Sequence, residues 1–472
     1  MPVKPFDEML LGEDSVREPY RRFFDWFGEQ DPESLVQKAR EAESVFRRTG
    51  ITFAVYGEEE AAERLIPFDL VPRIMARAEW EKLEKGIEQR VKALNAFLDD
   101  IYHGQEIVKA GKVPERLIKG NEAYLPEMEG FRPPGGVYTH IIGTDIVRVG
   151  EDQFYVLEDN ARTPSGVSYM IENRETMMQM FPELFARNRV RPVETYPQTL
   201  RRSLEAVAPP ACDGVPTIAV LTPGIHNSAY YEHAFLADQM GVELIEGSDV
   251  REIDGRIQMR TTKGYQPIDV LYRRVDDAYL DPKVFRPESL LGIPGIMGVY
   301  KSGGITIANA PGTGIADDKA IYSYMPEIVE FYTGEKALLE NVPTHRCAEA
   351  DTLAYVLDNL HELVVKEVHG SGGYGMLVGP AASKAERETF AAKLRQRPGN
   401  YIAQPTLALS TVPILVEKGL APRHVDLRPF VLVSDKIRIV PGGLTRVALK
   451  EGSLVVNSSQ GGGTKDTWVL RD

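Results

Sequence analysis

Cysteine is scarce in this chain, since only Cys212 and Cys347 occur among its 472 residues. Two thiols are too few for a disulfide framework or for a zinc site with four thiolate ligands. Neither cysteine lies in a histidine-rich stretch, so the simplest interpretation of each is a core or incidental thiol.

Positive charge is also in short supply, because 55 Lys and Arg residues face 69 Asp and Glu residues, which gives a formal net charge of −14. Binding to nucleic acid requires a cationic surface, so nucleic acid is excluded as the main partner. No uncharged apolar run approaches membrane-spanning length, and acidic residues interrupt the first fifteen positions, which do not form a secretion signal. We expect a globular, cytoplasmic protein with no membrane partner; the sequence carries no signal of its oligomeric state.

The spacing of apolar residues divides the chain into a helical part and a part rich in strands. In the first third the spacing is three and four, which predicts helices, among them a long one from Asp69 to Tyr102. From Val137 onward the period is two, which is typical of strands. Between residues 217 and 272 strand and helix patterns alternate, which favours an α/β unit. We therefore expect an α/β (α+β) fold.

The segment THIIGTDIVRVGEDQFYVLEDNARTPSG predicts a hairpin that ends in acidic residues. With a turn at GED and a constant register, Asp145 lies opposite Glu158 and Val147 opposite Val156, and Asn160 follows two residues on. Two carboxylates and an amide oxygen at one edge are ligands that suit Mg²⁺ held jointly with substrate phosphates. The alternative is a solvated strand end followed by an Asp-Asn turn, and the residues alone favour that alternative.

A lysine and a cluster of glycines form the second signal, in the segment LVVKEVHGSGGYGMLVG. Lys366 interrupts a β-branched strand, and the letters after it match GxGxxG. The dinucleotide fingerprint requires a helix directly after the glycines, whereas a strand is predicted at 376–378, and GK[ST] is absent. A glycine loop between antiparallel strands can instead cover a phosphate chain with backbone N–H groups. The alternative is a plain hairpin with Lys366 on its solvent face.

Two further positions are weaker signals. Lys319 is predicted at the start of a helix, where the alternative is a surface lysine beside Asp317 and Asp318. Gln404 lies near the end of the short strand YIAQP, where its amide could contact an adenine edge. The alternative for that segment is an edge strand stopped by proline.

Taken together, these segments resemble the circularly permuted ATP-grasp type 2 family, which is related to the synthetase domain of glutathionylspermidine synthase. In ordinary ATP-grasp enzymes the lysine strands and glycine loop precede the metal-binding Asp, Glu and Asn. Here the acidic residues come first, which is the permuted order. The phrases that carry the resemblance are LEDNARTPSG, LYRRVDD, NAPGTGIADDKA, KEVHGSGGYG, DLRPF and PGGLTRVA.

The resemblance implies a circularly permuted ATP-grasp fold with ATP and Mg²⁺ as cofactors. It implies that Mg²⁺ is bound by Asp145, Glu158 and Asn160. It implies that ATP is contacted by Lys319, Lys366, Gly370, Ser371, Gly372, Gly373, Tyr374, Gly375 and Gln404.

The chain departs from the glutathionylspermidine synthases at one position, because Gly143 stands where they carry an arginine two residues before the metal-binding aspartate. The arginine that binds the transferred phosphoryl group is then left open among three catalytic candidates, Arg162, Arg428 and Arg446. Contacts with a zwitterionic substrate are expected from the LYRRVDD cluster, which contains Arg273, Arg274, Asp276 and Asp277. A solvated, salt-bridged strand end is the alternative for that cluster.

The implied activity is an ATP-dependent carboxylate–amine ligase that forms an amide bond through an acyl phosphate, with a peptide-like or amino-acid carboxylate and an amine acceptor as partners. A kinase-type phosphotransferase and a catalytically silent ATP-binding or partner-binding protein stay open as alternatives. Four regions are expected. They are a mainly helical region (1–115), a metal-binding hairpin of the ATP-grasp core (116–210), an α/β unit on the substrate side (211–305), and the lysine strands, glycine-rich lid and C-terminal strands (306–472).

Overall fold

The structure, a computed structural model, describes residues 4–12, 15–54, 63–368, 375–457 and 461–471, with the main chain alone over 52–54 and 63–65. Its helices are α1 (Arg21–Gly28), α2 (Pro32–Thr49), α3 (Arg77–Ile101), α4 (Glu106–Lys109), α5 (Arg116–Lys119), α6 (Val167–Met180), α7 (Pro182–Asn188), α8 (Tyr196–Glu205), α9 (Tyr230–Met240), α10 (Asp277–Leu280), α11 (Ile296–Lys301), α12 (Lys319–Tyr322), α13 (Met325–Thr333), α14 (Ala350–Asp358) and α15 (Lys384–Gln396). Its strands are β1 (Thr52–Ala54), β2 (Glu63–Leu65), β3 (Phe68–Met75), β4 (Ile141–Arg148), β5 (Phe154–Asn160), β6 (Ile218–Leu221), β7 (Glu243–Ile245), β8 (Val250–Ile253), β9 (Arg256–Thr261), β10 (Gly264–Pro267), β11 (Val270–Arg273), β12 (Thr306–Ala308), β13 (Glu340–Asn341), β14 (His345–Arg346), β15 (Leu363–Glu367), β16 (Leu377–Val378), β17 (Tyr401–Pro405), β18 (Thr411–Val416), β19 (Gly419–Arg428), β20 (Phe430–Val433), β21 (Ile437–Ile439), β22 (Leu444–Val447) and β23 (Gly463–Val469).

A large mixed sheet forms the centre of the molecule. Its strand order is β13-β5-β4-β19-β22-β23-β3, and β18, β20 and β21 extend it. The hairpin β4–β5 lies in this sheet, and every residue of β4 is buried. Helix α3 packs on the hairpin through Ile87 and Val91, which share a core cluster with Ile142 and Val156. The hairpin is therefore held rigidly by core packing.

The predicted long helix is wrong at its start, because residues Phe68–Met75 form strand β3 and helix α3 begins at Arg77. Strand β3 pairs in parallel with β23, and the register shifts between the partners of Asp69 and Arg73. Pro72 lies within that irregular stretch, where the ladder is interrupted and a missing N–H is tolerated. The region expected to be mainly helical thus contributes an edge strand to the central sheet.

A four-stranded parallel sheet in the order β12-β11-β6-β7 forms the core of the predicted α/β unit. Helix α9 connects β6 to β7, as the alternation of patterns predicted. An antiparallel sheet of β8, β9 and β10 is inserted between β7 and β11. In the open α/β arrangement, ligands bind beyond the carboxyl ends of parallel strands. The LYRRVDD segment begins within β11 and ends beyond the carboxyl end of that strand.

A small antiparallel sheet in the order β14-β17-β15-β16 carries the lysine strand β15. Helices α14 and α15 cover one face of it through an apolar cluster that includes Val356, Leu360 and Leu394. Strand β16 pairs antiparallel with β15, so a strand and not a helix follows the glycines, and the dinucleotide fingerprint is excluded. Among the residues that the structure describes, no helix is both long enough and apolar enough to cross a membrane.

Candidate functional site

The hairpin β4–β5 pairs Asp145 with Glu158, as the sequence predicted. The prediction of a constant register is wrong, because Val147 lies opposite Tyr155 and Ile146 opposite Val156. The register shifts next to Asp145, which leaves Leu157 as an additional residue in β5. A bulge of this kind re-aims neighbouring side chains, and Leu157 and Glu158 both line the same cavity as a result.

This cavity, of about 540 Å³, lies between the central sheet and the small lysine-bearing sheet. Carboxylates from the early hairpin, Asp145 and Glu158, line it together with the late lysines Lys319 and Lys366. Its apolar lining includes Val147, Leu157, Val342, Val364, Met376, Val378, Pro405, Leu407, Leu409, Leu454 and Val456. One end of the cleft is therefore charged, and the remainder can accept a flat apolar group.

Asp145 is fully buried and binds two arginines. Arg428 donates from Nε and Nη2 to its two oxygens, and Arg446 donates from Nη2 to Oδ2 at 2.6 Å. Arg446 also donates from Nε to Asp426 at 2.9 Å. Although burial raises the pKa of Asp145, the two guanidinium groups outweigh it and hold that pKa well below the usual range. Asp145 is therefore ionised at neutral pH.

Glu158 has weaker compensation for its charge. Lys319 Nζ lies 4.0 Å from Oε2, and Arg428 Nη2 lies 3.8 Å from Oε1. Burial and the nearby Asp145 carboxylate raise the pKa of Glu158. A carboxylate in this position is stabilised when a further cation is added to the site.

Asp145, Glu158 and Asn160, which the resemblance implies as Mg²⁺ ligands, lie close together on hairpin β4–β5 and offer oxygen donors of the type that Mg²⁺ binds. Asn160 follows Glu158 on the same face of β5, and its Nδ2 donates to the Gly143 carbonyl oxygen at 3.3 Å. In the described part of the chain, no group of three or more His, Cys, Asp and Glu side chains is arranged to hold a metal. Two carboxylates and an amide oxygen are a partial set of hard ligands, and Mg²⁺ takes its other ligands from water and substrate phosphates.

Lys366 extends from β15 into the cavity and donates from Nζ to Gln404 Oε1 at 2.8 Å. Gln404 in turn donates from Nε2 to Thr344 Oγ1 at 3.0 Å. Burial and the neighbouring Lys319 lower the pKa of Lys366 to about 8, although the two carboxylates oppose this shift. The amide of Gln404 thus orients Lys366, and Gln404 itself lines the cavity. Its contact with adenine stays a prediction.

Lys319 is the first residue of α12, as predicted. Asp318 caps this helix, because its Oδ1 accepts hydrogen bonds from the main-chain nitrogens of Ala320 and Ile321 at 2.8 and 3.0 Å. The cap fixes where the helix starts, and so it fixes the position from which Lys319 reaches Glu158.

Most of the predicted glycine loop lies outside the described residues, namely Gly370, Ser371, Gly372, Gly373 and Tyr374. Gly375 is described and has φ +69°, and a Cβ there would lie 2.6 Å from the Glu367 carboxyl carbon. The left-handed conformation favours glycine at this position, whereas the Glu367 carboxyl group is the end of a flexible side chain that can move aside.

The three candidate arginines have different positions. Arg428 and Arg446 bind Asp145 at the charged end of the cleft. Arg162 is about half-buried and lies 3.6 Å from Asp276 and 3.7 Å from Asp317, outside that cluster.

The LYRRVDD cluster is only partly available to a ligand. Arg273 is fully buried and donates to the carbonyl oxygens of Asn309, Val275 and Ala310, and it pairs with Asp277 at 2.8 Å. Arg274 is also buried. Because the hydrogen bonds of both arginines run to the protein itself, the structure differs from the expectation that they contact substrate. Asp276 is exposed at the carboxyl end of the parallel sheet.

Sequence reasoning missed the role of Asp426 and Asp317. Asp426 and Arg428 are two residues apart on β19 and so share one face, and Arg446 lies opposite Asp426 on β22. The alternation in DLRPF was the available signal. Asp317 accepts a hydrogen bond from the Ala161 main-chain nitrogen, and burial raises its pKa to about 7 against the opposing effect of Arg162; no local pattern indicated this.

The fold is that of an ATP-grasp protein. A family model described as circularly permuted ATP-grasp type 2 matches residues 72–448, and the chain belongs to that family. It is similar to an uncharacterized protein from Synechocystis, with 53% identity over 99% of this chain and 97% of the relative. It is also similar to an uncharacterized protein from Mycobacterium tuberculosis, with 49% identity over 98% of this chain and 84% of the relative.

Two other comparisons concern proteins with descriptive names. A Frankia alni protein named "Putative glutamate–cysteine ligase 2-3" is 41% identical over 99% of this chain, which spans only 54% of that protein. The solved structure of a glutathione synthetase-like effector from Globodera pallida, in its apo form, aligns with a TM-score of 0.58 and 12% identity, over 93% of this chain and 98% of the other. At 12% identity, the similarity to the effector structure shows a shared fold. The prediction of a circularly permuted ATP-grasp fold is confirmed.

Proposed function

We propose that this protein is an ATP-dependent carboxylate–amine ligase that forms an amide bond through an acyl phosphate. The observation that supports it most directly is the meeting of Asp145 and Glu158 with Lys319 and Lys366 in one cleft. The two carboxylates are far from the two lysines in sequence, and acidic and cationic groups on opposite walls are what a metal-loaded triphosphate requires.

Each wall of the cleft has a distinct task in this proposal. Asp145, Glu158 and Asn160 would hold Mg²⁺, which when bound neutralises charge on phosphate oxygens. Lys319 and Lys366 balance the remaining phosphate charge and orient the chain of phosphates. The apolar wall that includes Leu157, Val342 and Leu407 accepts the base. Phosphoryl transfer depends mainly on such positioning and charge stabilisation.

Arg428 and Arg446 are the arginines that we assign to the transferred phosphoryl group. Both lie at Asp145, where their guanidinium groups converge, whereas Arg162 lies outside that cluster, near Asp276 and Asp317. Transfer of the γ-phosphoryl group to a substrate carboxylate gives an acyl phosphate and ADP. Attack by an amine then forms the amide bond and releases phosphate.

An amino acid or a peptide-like acid is the substrate class that we propose. The name of the Frankia relative supports amino-acid substrates, although this chain spans about half of that protein. The exposed Asp276 lies at the carboxyl end of the parallel sheet, where α/β units bind ligands. A substrate ammonium group would be favoured beside that carboxylate.

The test is a screen for ADP release with ATP and Mg²⁺ over amino acids, small peptides and polyamines, followed by mass spectrometry of the product. Hydroxylamine is added in parallel, because an acyl phosphate yields a hydroxamate and a phosphorylated alcohol does not. A phosphorylated product without hydroxamate would replace the ligase with a kinase-type phosphotransferase. ATP binding without Mg²⁺ dependence and without turnover would indicate a silent binding protein.

A further inference from the structure

The segment that links strand β5 to helix α6 is anchored by buried side chains of the α/β unit. We call this unit, which is built around the sheet β12-β11-β6-β7, the parallel-sheet unit. We call residues 161–166 the connecting segment. Asn309 Nδ2 donates to the carbonyl oxygen of Ala161 at 2.8 Å, and Arg274 Nη1 donates to that of Pro164 at 2.7 Å. Glu232 Oε2 accepts from the Gly166 nitrogen at 2.7 Å. The parallel-sheet unit thus holds the connecting segment at both ends.

Arg274 and Glu232 are both nearly inaccessible, with side chains 1% exposed. Arg274 Nη2 lies 3.4 Å from Glu232 Oε1 and donates to Ser165 Oγ at 2.5 Å. A buried ion pair of this kind adds little stability over an apolar pair of the same volume, because both charges lose their hydration. Unlike an apolar pair, the pair of Arg274 and Glu232 also fixes the positions of Pro164 and Ser165.

The connecting segment contacts Arg428 on its other side. Arg428 Nη1 donates to the Ser165 carbonyl oxygen at 3.1 Å, while Nε and Nη2 bind Asp145. The stem of Arg428 and the ring of Pro164 both crowd the Gly143 Cα, where a Cβ would meet them at 3.2 and 3.3 Å. A shift of Pro164 or Ser165 would therefore change the position of the guanidinium group.

We propose that Arg274 and Glu232 are positioning residues for Arg428. They fix the Ser165 carbonyl oxygen, which accepts from Nη1 of Arg428, while Nε and Nη2 of the same guanidinium group donate to Asp145. This proposal rests on the proposed function in one respect, because it takes Arg428 to be an arginine that binds the transferred phosphoryl group. The packing of the parallel-sheet unit then determines where that arginine lies. Arg428 is the residue that acts, and Arg274 acts through it.

The experiment combines Arg274→Met with Arg428→Lys and compares both single variants with the double variant. Arg174→Met is the matched control, because Arg174 is also buried and ion-paired, with Asp466 at 2.8 Å, and does not contact the connecting segment. The first measurement is the NMR signal of the Arg428 side-chain Nε–H group in protein labelled with ¹⁵N-arginine, and it needs no nucleotide. The signal is assigned by its loss in Arg428→Lys. The second is kcat and KM for ATP in ADP release.

We expect the Arg428 Nε–H signal to shift in Arg274→Met and to stay unchanged in Arg174→Met. We expect kcat to fall about tenfold with KM for ATP within about twofold, since a small misplacement of a reacting group is costly. Adding Arg274→Met to Arg428→Lys should cause no further loss, and Arg274→Lys should restore part of kcat. An unchanged Arg428 signal, or losses that multiply in the double variant, would overturn the proposal.

Two further outcomes are decided by the same measurements. If Arg274→Met does not fold, Ser165→Ala removes the hydroxyl contact alone, and the Arg428 signal must still shift. If the wild-type protein releases no ADP with any acid, the proposed function fails, whereas the Nε–H comparison alone decides whether Arg274 positions Arg428.

Discussion

The side chain of Arg428 occupies the space above Gly143 that a side chain at that position would fill. A Cβ on Gly143 would meet Arg428 Cδ at 3.2 Å and Cγ at 3.3 Å. By the resemblance described for the sequence, Gly143 is also the position where the glutathionylspermidine synthases carry an arginine. In this chain Gly143 on β4 has no side chain. Arg428 on β19 therefore reaches Asp145 through the space that such a side chain would fill.

Gly143→Ala should displace Arg428 with little effect on the backbone, since Gly143 lies in an ordinary strand conformation. The Cβ contact is tighter than normal packing allows, and a shift of a few tenths of an ångström at the guanidinium group should lower kcat about tenfold. Steady-state ADP release measures this. Gly298→Ala is the control, because nothing lies within 4 Å of its Cβ position, and it should retain full kcat. Full activity of Gly143→Ala would show that the contact with Arg428 is not critical.

Glu158→Gln should lower turnover strongly, because it replaces one of the two carboxylates that line the cavity with the lysines. We expect a loss of about 100-fold or more in kcat, comparable to the loss of other groups that stabilise transition-state charge. The variant should also require more Mg²⁺ for half-maximal activity. Asp152→Asn in the exposed hairpin turn is the control, and circular dichroism should show both variants folded. An unaltered Mg²⁺ titration in Glu158→Gln would contradict the assignment of Glu158 to the metal.

The sequence was sufficient for the parts of the site that depend on local pattern. The pairing of Asp145 with Glu158 follows from one turn, and the lysine at the start of α12 follows from the capping residue Asp318 before it. The bulge at Leu157 was not foreseeable, because an additional residue in one strand leaves no signature in an apolar run.

Tertiary contacts decide the features that local pattern predicted wrongly. Phe68–Met75 has helical spacing but becomes a strand, because β23 offers a partner and Lys465 is buried against Asp69 at 2.9 Å. Arg274 was expected to contact a zwitterionic substrate, with a solvated, salt-bridged strand end as the alternative. Its partner Glu232 lies on α9, 42 residues earlier in the chain, and only the fold brings the two together.

The affinity for ATP should depend on pH through Lys366. Burial lowers the pKa of Lys366 to about 8 in the ligand-free protein, so the ammonium is present below that pH and is lost as the pH rises through it. The Kd for MgATP should therefore be nearly constant below pH 7 and should rise above pH 8, because a neutral amine does not attract phosphate. Calorimetric titrations at intervals between pH 6.5 and 9.5 measure this.

Lys366→Arg provides the control for that dependence, since a guanidinium group stays protonated throughout the range. The rise in Kd above pH 8 should be absent in this variant, even if its affinity at pH 7 is lower. Lys366→Ala should abolish turnover while the protein stays folded. A wild-type Kd that is flat to pH 9.5 would contradict the assignment of Lys366 to the phosphates.

Asp426→Asn should destabilise the protein although Asp426 is not assigned to a ligand. Asp426 and Asp145 together balance Arg446 and Arg428, and all four side chains lie in the buried end of the cleft. Removing one carboxylate leaves Asp145 as the one carboxylate hydrogen-bonded to both guanidinium groups, with Glu158 farther off at 3.8 Å from Arg428. A broken buried pair typically costs about 3–5 kcal/mol. Denaturant unfolding monitored by fluorescence measures the loss, with Asp249→Asn as a control at an exposed pair with Arg260. Because an anionic ligand can replace the missing charge, MgATP should stabilise Asp426→Asn more than the wild type; equal stabilisation of the two would show that the arginines do not face the nucleotide.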